Sequence, residues 1–211
     1  MGFIKSIFGG GDKSPPAQKK ESPNDLKLGD IVKMEFADQA AISAQTLKVV
    51  DQFFYDISAV ESCKSVSIMD GGEQRVYMST SEVNVESPLE IAIAILPNTV
   101  DKLFGVKQFA IIFDEPDNTD HRLNLKAKLD EVQGFVGQSY FQERTNEAYR
   151  STKDCRETSL TDSDWVAFDY KLLVSDDRRH AIRIEVFDGG RTDVYLIAYL
   201  ASHKVEDYWS A

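Results

Sequence analysis

A nine-residue segment with an Asp-Gly-Gly turn occurs twice in this chain and constrains its fold more than any other feature. The copies span residues 70–78 and 188–196, lie 118 residues apart and share five positions: Asp, Gly, Gly, Val and Tyr. Glycine accepts a positive φ without a Cβ clash, so Asp-Gly-Gly suits the tight turn of a β-hairpin. Apolar residues alternate with polar ones before both turns, as in strands with one buried and one wetter face. The repeat therefore predicts two β-hairpins of the same design.

The repeat has two interpretations, an internal duplication and a chance similarity within a β-rich protein. Under duplication, Val66 corresponds to Ile184 and Val76 to Val194, and the two hairpins superimpose with the same face buried. A phosphate-cradling glycine loop is the alternative for either turn. Such a loop requires a helix N-terminus after it, whereas β-branched and aromatic residues follow here, so a surface turn is favoured.

The wider pattern predicts a β-rich α+β fold, in which repeated hairpins build antiparallel sheets and helices are few and short. Residues 99–104 predict one or two helical turns that end at Gly105. Residues 40–55 are compatible with helix or strand, and the polar residues 143–163 are expected to form a long connection. Strands are expected at 31–36, 89–96, 109–113, 165–174 and 195–200, and residues 123–142 are expected to contain two more, about Gly134 and Gly137.

The chain divides into a tail, residues 1–25, and a single β-rich domain, residues 26–211, which forms two pseudo-repeated lobes under the duplication hypothesis. The tail is rich in Gly, Lys, Pro, Ser and Gln and cannot bury a core, so a flexible linker is expected. Residues 1–20 hold four lysines and one aspartate, which leaves the remainder with a net charge of −14 against −11 for the whole chain. This acidic body argues against nucleic-acid binding, because phosphate contacts need a basic patch.

The tip of the tail is the candidate contact site of the chain. Phe3, Ile4, Ile7 and Phe8 fall on one face of a helix, with Lys5 on the other face. One interpretation is an anchor that contacts an anionic membrane weakly or docks on a protein partner, such as a peripheral membrane protein. The other interpretation is a terminus without a fixed structure. The opening also matches the loose N-myristoylation pattern, which needs a eukaryotic transferase.

No motif in the sequence supplies catalytic chemistry, a cofactor site or a metal site, so none of the three is expected. The three histidines show no metal-ligand spacing, and the P-loop, G-x-G-x-x-G, G-x-S-x-G and C-x-x-C patterns are absent. The acidic loop at residues 114–121 departs from the calcium-loop pattern. Asp162 with Asp164 and Asp176 with Asp177 are paired carboxylates in polar segments, where solvated turns are expected.

Cysteine usage indicates a reduced, cytoplasmic setting. Cys63 and Cys155 are the two cysteines of a chain without a secretory signal pattern, and they lie far apart, so two buried thiols are expected. If the tail tip is an anchor, the protein is also expected to lie peripherally at the inner membrane.

The layout resembles that of the YjfK-like proteins, an uncharacterised bacterial family of similar size. The resemblance lies in residues 1–9, the linker after them, Leu-Gly-Asp at 28–30, the segment 184–190 and Asp-Tyr-Trp at 207–209. It covers most of the chain through motifs of a structural kind and implies no catalytic residues. Members of that family tend to lie near homologues of phage shock protein A, a peripheral membrane-remodelling protein. The resemblance therefore implies a role at the inner face of the bacterial membrane.

Two functional hypotheses follow from these features. The first is a non-enzymatic cytoplasmic interaction or adaptor module whose tail contacts a membrane or a partner. The alternative is a small-molecule-binding or hydrolytic enzyme whose site lies between the two lobes. A deep pocket in which His180, Arg179 and carboxylates converge favours the enzyme, whereas a closed core with flat edges favours the adaptor.

Overall fold

The computed structural model describes residues 22–57, 61–71, 74–81, 83–114 and 121–211. Strands dominate this part of the chain, and the paired strands run antiparallel, which confirms the predicted β-rich class. The strands are β1 (Ile31–Met34), β2 (Thr46–Ile57), β3 (Glu61–Asp70), β4 (Val76–Thr80), β5 (Leu89–Ile95), β6 (Arg122–Asn124), β7 (Ser139–Ser151), β8 (Val166–Ser175), β9 (His180–Phe187), β10 (Thr192–Leu200) and β11 (Val205–Trp209). The helices are α1 (Pro97–Phe104) and α2 (Val106–Asp114).

Eight of these strands close into an antiparallel barrel. The strands pair in the order β11-β1-β2-β3-β4-β5-β10-β9-β8-β7-β6, and β2 also pairs with β7. Strand β2 closes the barrel because it is long: its first residues pair with β1 and its last residues with β7, where Tyr55 lies opposite Arg150. Closure protects the strand edges that an open sheet would expose, and β1, β11 and β6 extend the sheet beyond the barrel.

The wall of the barrel has two buried faces, and each forms its own cluster of apolar side chains. On β9, Ile182 and Ile184 join the outer cluster, which also contains Leu103 of α1. Arg183 and Glu185 alternate with them, and these two residues are only 2% and 0% exposed. The expectation of a wetter face on β9 is therefore wrong, because the closed barrel encloses that face in its lumen.

Strands β3 and β4 pair antiparallel, as do β9 and β10, but the repeated hairpin design and the duplication are not confirmed. Val76 lies opposite Met69, whereas Val194 lies opposite Ile184, so the two hairpins have different registers. Val66 packs in the lumen cluster, while its counterpart Ile184 packs in the outer cluster. The first strands of the two hairpins bury opposite faces, whereas Val76 and Val194 both pack in the outer cluster. Strand register, and not the turn sequence, decides which side chains point inward.

Residues 109–113 form part of helix α2, so the strand expected there is wrong. Helix α1 ends at Gly105 as predicted, and the φ of 76° at this glycine turns the chain directly into α2. Phe109 then stacks on Phe104 of α1, with ring centres 6.5 Å apart. An apolar run of this length is compatible with either a strand or a helix, and packing against α1 decides between them.

Residues 143–151 continue strand β7, so the long polar connection begins later than expected. Glu143, Thr145 and Glu147 are exposed, whereas Ala148 packs in the lumen cluster. A strand with a polar outer face and small or charged inner residues lacks the apolar alternation that predicts strands. Residues 40–55, compatible with either state, resolve into a turn followed by β2.

Cys63 of β3 and Cys155 form a disulfide, so the expectation of two buried thiols is wrong. Their Cα atoms lie 5.9 Å apart although 92 positions separate them in the chain. The bond links the connection between β7 and β8 to the barrel wall near the β2–β7 pairing. Disulfides are typical of oxidising compartments, so the cysteines do not support a cytoplasmic setting.

The tail tip and most of the acidic loop lie outside the described residues, and the predictions made for them stay predictions. The tail-tip residues concerned are Phe3, Ile4, Lys5, Ile7 and Phe8. Within the part of the chain that the structure describes, no helix combines the length and apolar character needed to cross a membrane.

Candidate functional site at the barrel mouth

A network of buried charges fills the middle of the lumen. Lys64 Nζ lies 3.1 Å from Glu90 Oε2, and Arg183 Nη1 lies 3.0 Å from Glu90 Oε1. Arg183 Nε is also 3.1 Å from Glu185 Oε1. These four side chains come from β3, β5 and β9, so the network connects strands that are not neighbours in the sheet. Each buried charge needs its partner, because removing one side of such a pair costs about 3–5 kcal/mol.

Tyrosine rings complete the network around Arg183. Its guanidinium lies 4.4 Å from the ring centre of Tyr195 and 5.2 Å from that of Tyr55, and the Tyr55 hydroxyl donates a hydrogen bond to Glu185. Burial raises the pKa of Tyr55 well above its usual value and also raises the pKa of Glu185. Burial disfavours the ionised form of Glu90 too, yet Lys64 and Arg183 hold the pKa of this carboxyl below its usual value.

Arg150 of β7 connects this network to solvent at one end of the barrel, which we call the barrel mouth. Its Nη1 atom lies 3.1 Å from Glu185 Oε2 and 3.8 Å from Asp193 Oδ2. Arg191 Nη2 lies 3.3 Å from the same Asp193 oxygen. The Cζ atoms of both guanidiniums lie over the ring of Phe187, at 4.8 and 4.0 Å from its centre. The mouth therefore presents two cations that a single aromatic ring holds in position.

A cavity of about 330 Å³ opens at the barrel mouth. Phe53, Tyr77 and Tyr195 line it, beside Arg150 and the Arg191–Asp193 pair. Tyr77 meets Tyr195 edge to face, with ring centres 5.1 Å apart, and tilts against Phe53 at 6.2 Å. Burial raises the pKa of both tyrosines, which keeps their hydroxyls protonated. An apolar floor with a few converging polar groups is typical of small-molecule sites, and the volume lies at the small end of their range.

A second pocket, of about 310 Å³, contains Arg179 and His180. Nearby, Ser175 Oγ lies 2.6 Å from Asp177 Oδ1, and His180 Nδ1 lies 3.8 Å from that carboxylate oxygen. The serine also accepts a hydrogen bond from the backbone N–H of His180, and Ser175 is 1% exposed. A catalytic serine must direct its hydroxyl to the imidazole and to the substrate. This arrangement does neither, and it holds the β8–β9 turn.

The paired carboxylates lie in surface turns, as expected. Asp164 caps a short 3₁₀ turn, where hydrogen bonds from Lys153 and Thr161 lower its pKa to about 2. Asp176 is exposed, 4.0 Å from Arg122. Among the described residues, no group of three histidine, cysteine or acidic side chains is placed to hold a metal ion.

Sequence reasoning missed the lumen network and the barrel mouth. Arg183 and Glu185 did leave a signal, because two charges alternate with isoleucines in a strand that is otherwise apolar. Glu90 left a similar signal as one charge within the apolar run 89–96. Lys64 and Arg150 left none, since their positions look like ordinary surface charges until the barrel closes.

The chain matches no protein-family model, no curated protein and no solved structure. The resemblance to the YjfK-like family therefore stays a prediction, and the function has to be inferred from the geometry of the barrel.

Proposed function

We propose that this protein is a non-enzymatic binding module that takes a small ligand at the barrel mouth. The observation that carries this proposal is the cavity of about 330 Å³ between the aromatic floor and Arg150. It combines apolar area, which favours burial of a ligand, with polar groups that can orient one. An eight-stranded barrel is also wide enough to hold one small ligand at its end.

The chemistry around this cavity supports binding rather than turnover. Below the cavity, Glu185 and Glu90 are buried in ion pairs. Asp193 in the cavity lining is paired with Arg150 and Arg191. Among the described residues, the lining beside the other carboxylate, Asp51, holds no serine, cysteine or histidine that could act as a nucleophile. A general acid or base has to reach a substrate proton directly or through one water. The Ser175 cluster fails the corresponding requirement for a nucleophile.

The mouth is built on paired strands, which favours a pre-organised site. Phe53 belongs to β2, Tyr77 to β4, Arg150 to β7 and Tyr195 to β10, and each of these strands pairs on both sides within the barrel. Strands hold side chains more accurately than loops do, so little ordering cost remains for binding. The adaptor hypothesis is compatible with this site, because the tail offers a second, separate contact.

The test is a fragment screen by amide and side-chain NMR on the full chain. We expect binders to shift the resonances of Tyr77, Tyr195 and Arg191. The resonances of His180 and Arg179 in the second pocket are the internal control. Binders that shift only the second pocket, or no binders at all, would contradict the proposal.

A further inference from the structure

Two guanidiniums at the barrel mouth share one carboxylate oxygen. Arg150 Nη1 and Arg191 Nη2 lie 3.8 and 3.3 Å from Asp193 Oδ2. Arg150 also reaches Glu185 Oε2 below it, at 3.1 Å. A guanidinium presents a planar fork of N–H donors that matches the two oxygens of a carboxylate. These contacts engage Nη1 of Arg150 and Nη2 of Arg191, and each guanidinium also carries N–H donors on its two other nitrogens.

Phe187 positions both guanidiniums without using these donors. The Arg150 and Arg191 carbons Cζ lie 4.8 and 4.0 Å from its ring centre, and Arg150 is also 5.3 Å from that of Phe53. A cation over an aromatic face is attracted by the negative face of the ring, and this contact uses no N–H donor of the guanidinium. Its N–H edges stay available for hydrogen bonds in that plane. The stacking thus presents donors at the rim of the cavity.

The floor of the same cavity is aromatic and suits a flat apolar body. Phe53, Tyr77 and Tyr195 form a continuous series of ring contacts at 6.2 and 5.1 Å. Aromatic rings favour offset or edge contacts with another ring at these separations. A ligand that satisfies both parts of the site is therefore planar and apolar at one end and negatively charged at the other.

We infer that the ligand of the barrel mouth is a small aromatic carboxylate, an inference that rests on the proposed function. The carboxylate accepts hydrogen bonds from Arg150 and Arg191, while the ring lies on the floor. A single negative charge fits better than a phosphate dianion, because Asp193 and Asp51 already line the cavity. Asp193 competes with the ligand for the two guanidiniums and so limits its affinity.

The test compares two probes of the same shape, 2-naphthoate and 2-naphthamide, titrated into the full chain by calorimetry and NMR. We expect 2-naphthoate to bind at least tenfold more tightly and to shift the Arg191 side-chain resonances. Arg191→Gln should weaken 2-naphthoate binding about three- to tenfold, which corresponds to about 0.7–1.4 kcal/mol. Asp193→Asn should strengthen it by a similar factor, and 2-naphthamide should respond to neither change.

Three outcomes would overturn the inference in different ways. If the amide binds the mouth as tightly as the acid, the carboxylate is wrong and the proposed function stands. If Asp193→Asn weakens 2-naphthoate binding while the fold is retained by circular dichroism, Asp193 does not compete and the inference is wrong. If neither probe shifts the mouth resonances at millimolar concentration, the inference fails, and the fragment screen separately decides whether the proposed function fails with it.

Discussion

Tyr55 and Glu185 lie on strands of the barrel that are not neighbours, and the Tyr55 hydroxyl donates a hydrogen bond to the Glu185 carboxylate within the lumen. Tyr55 belongs to β2 and Glu185 to β9, two strands that β7 and β8 separate in the sheet. The same Glu185 carboxylate faces Arg183 and Arg150. The Tyr55–Glu185 hydrogen bond stabilises the barrel from its interior. It lies beside the point of closure, where β2 and β7 pair over only a few residues.

Tyr55→Phe should lower the free energy of unfolding by about 1–3 kcal/mol, because a buried carboxylate loses a hydrogen-bond donor. Urea denaturation measures the change. Tyr149→Phe is the matched control, since the Tyr149 hydroxyl donates to Glu147 at the exposed surface. The control should stay within about 0.5 kcal/mol of the parent protein. Equal losses of unfolding free energy in the two variants would mean that the Tyr55–Glu185 hydrogen bond stabilises the protein no more than a surface hydrogen bond does.

The stability of the protein should fall in mild acid because of His180. Burial lowers the pKa of this imidazole, although Asp177 opposes the shift and Arg179 adds to it. In the unfolded state the histidine has a pKa of about 6.5 and takes up a proton first, so the unfolded state gains protons as the pH falls. The contribution is fully present above pH ~6.5 and is lost as the pH falls through the lower folded value.

His180→Gln should remove this part of the pH dependence. Denaturant midpoints measured from pH 7 to pH 5 should fall less steeply for the variant than for the parent protein. The raised pKa of Glu185 has the opposite sign, but both proteins contain it, so their difference reports His180. A variant with the same slope as the parent protein would rule out a buried neutral imidazole.

Untreated protein should contain no titratable thiol, even in denaturant, because Cys63 and Cys155 are bonded. The double change Cys63→Ser with Cys155→Ser should lower the free energy of unfolding by about 2–4 kcal/mol. Hydrogen exchange should show faster amide exchange in residues 152–161. Arg156 in that segment donates to the Leu26 carbonyl, so residues 22–28 should respond as well. Parent protein treated with a dithiol should match the variant, and two free thiols in untreated protein would disprove the bond.

Phe3→Ser with Phe8→Ser, or deletion of residues 1–8, should abolish binding to anionic vesicles. Burying an apolar side chain contributes at most about 1.5–3 kcal/mol, while ordering each residue costs about 1–2 kcal/mol. The net free energy of attachment through a single tip is therefore close to zero. We therefore expect weak binding that rising salt removes, supported by the tail lysines. Vesicle sedimentation measures it. Equal sedimentation of intact and truncated chains would exclude the membrane contact.

Local sequence patterns predicted several elements correctly. They failed where one pattern is compatible with two different structures. The apolar run at β5 and the aromatic-rich β8 lie where expected, and Gly105 ends α1. These depend on short-range properties such as alternation, turn chemistry and a positive φ. Local pattern did not predict helix α2 or the polar part of strand β7. Helix α2 depends on packing against Phe104, and β7 depends on packing of its inner residues in the lumen.

The sequence by itself determined that this chain is β-rich and where most of its strands lie. Only the tertiary structure decided that the sheet closes, that Arg183 and Glu185 face inward and that Cys63 meets Cys155. The physical reason is the sequence separation between the residues that interact. Turns and alternation act between neighbours in the chain, whereas barrel closure, the lumen ion pairs and the cavity at the mouth depend on contacts between residues far apart in sequence.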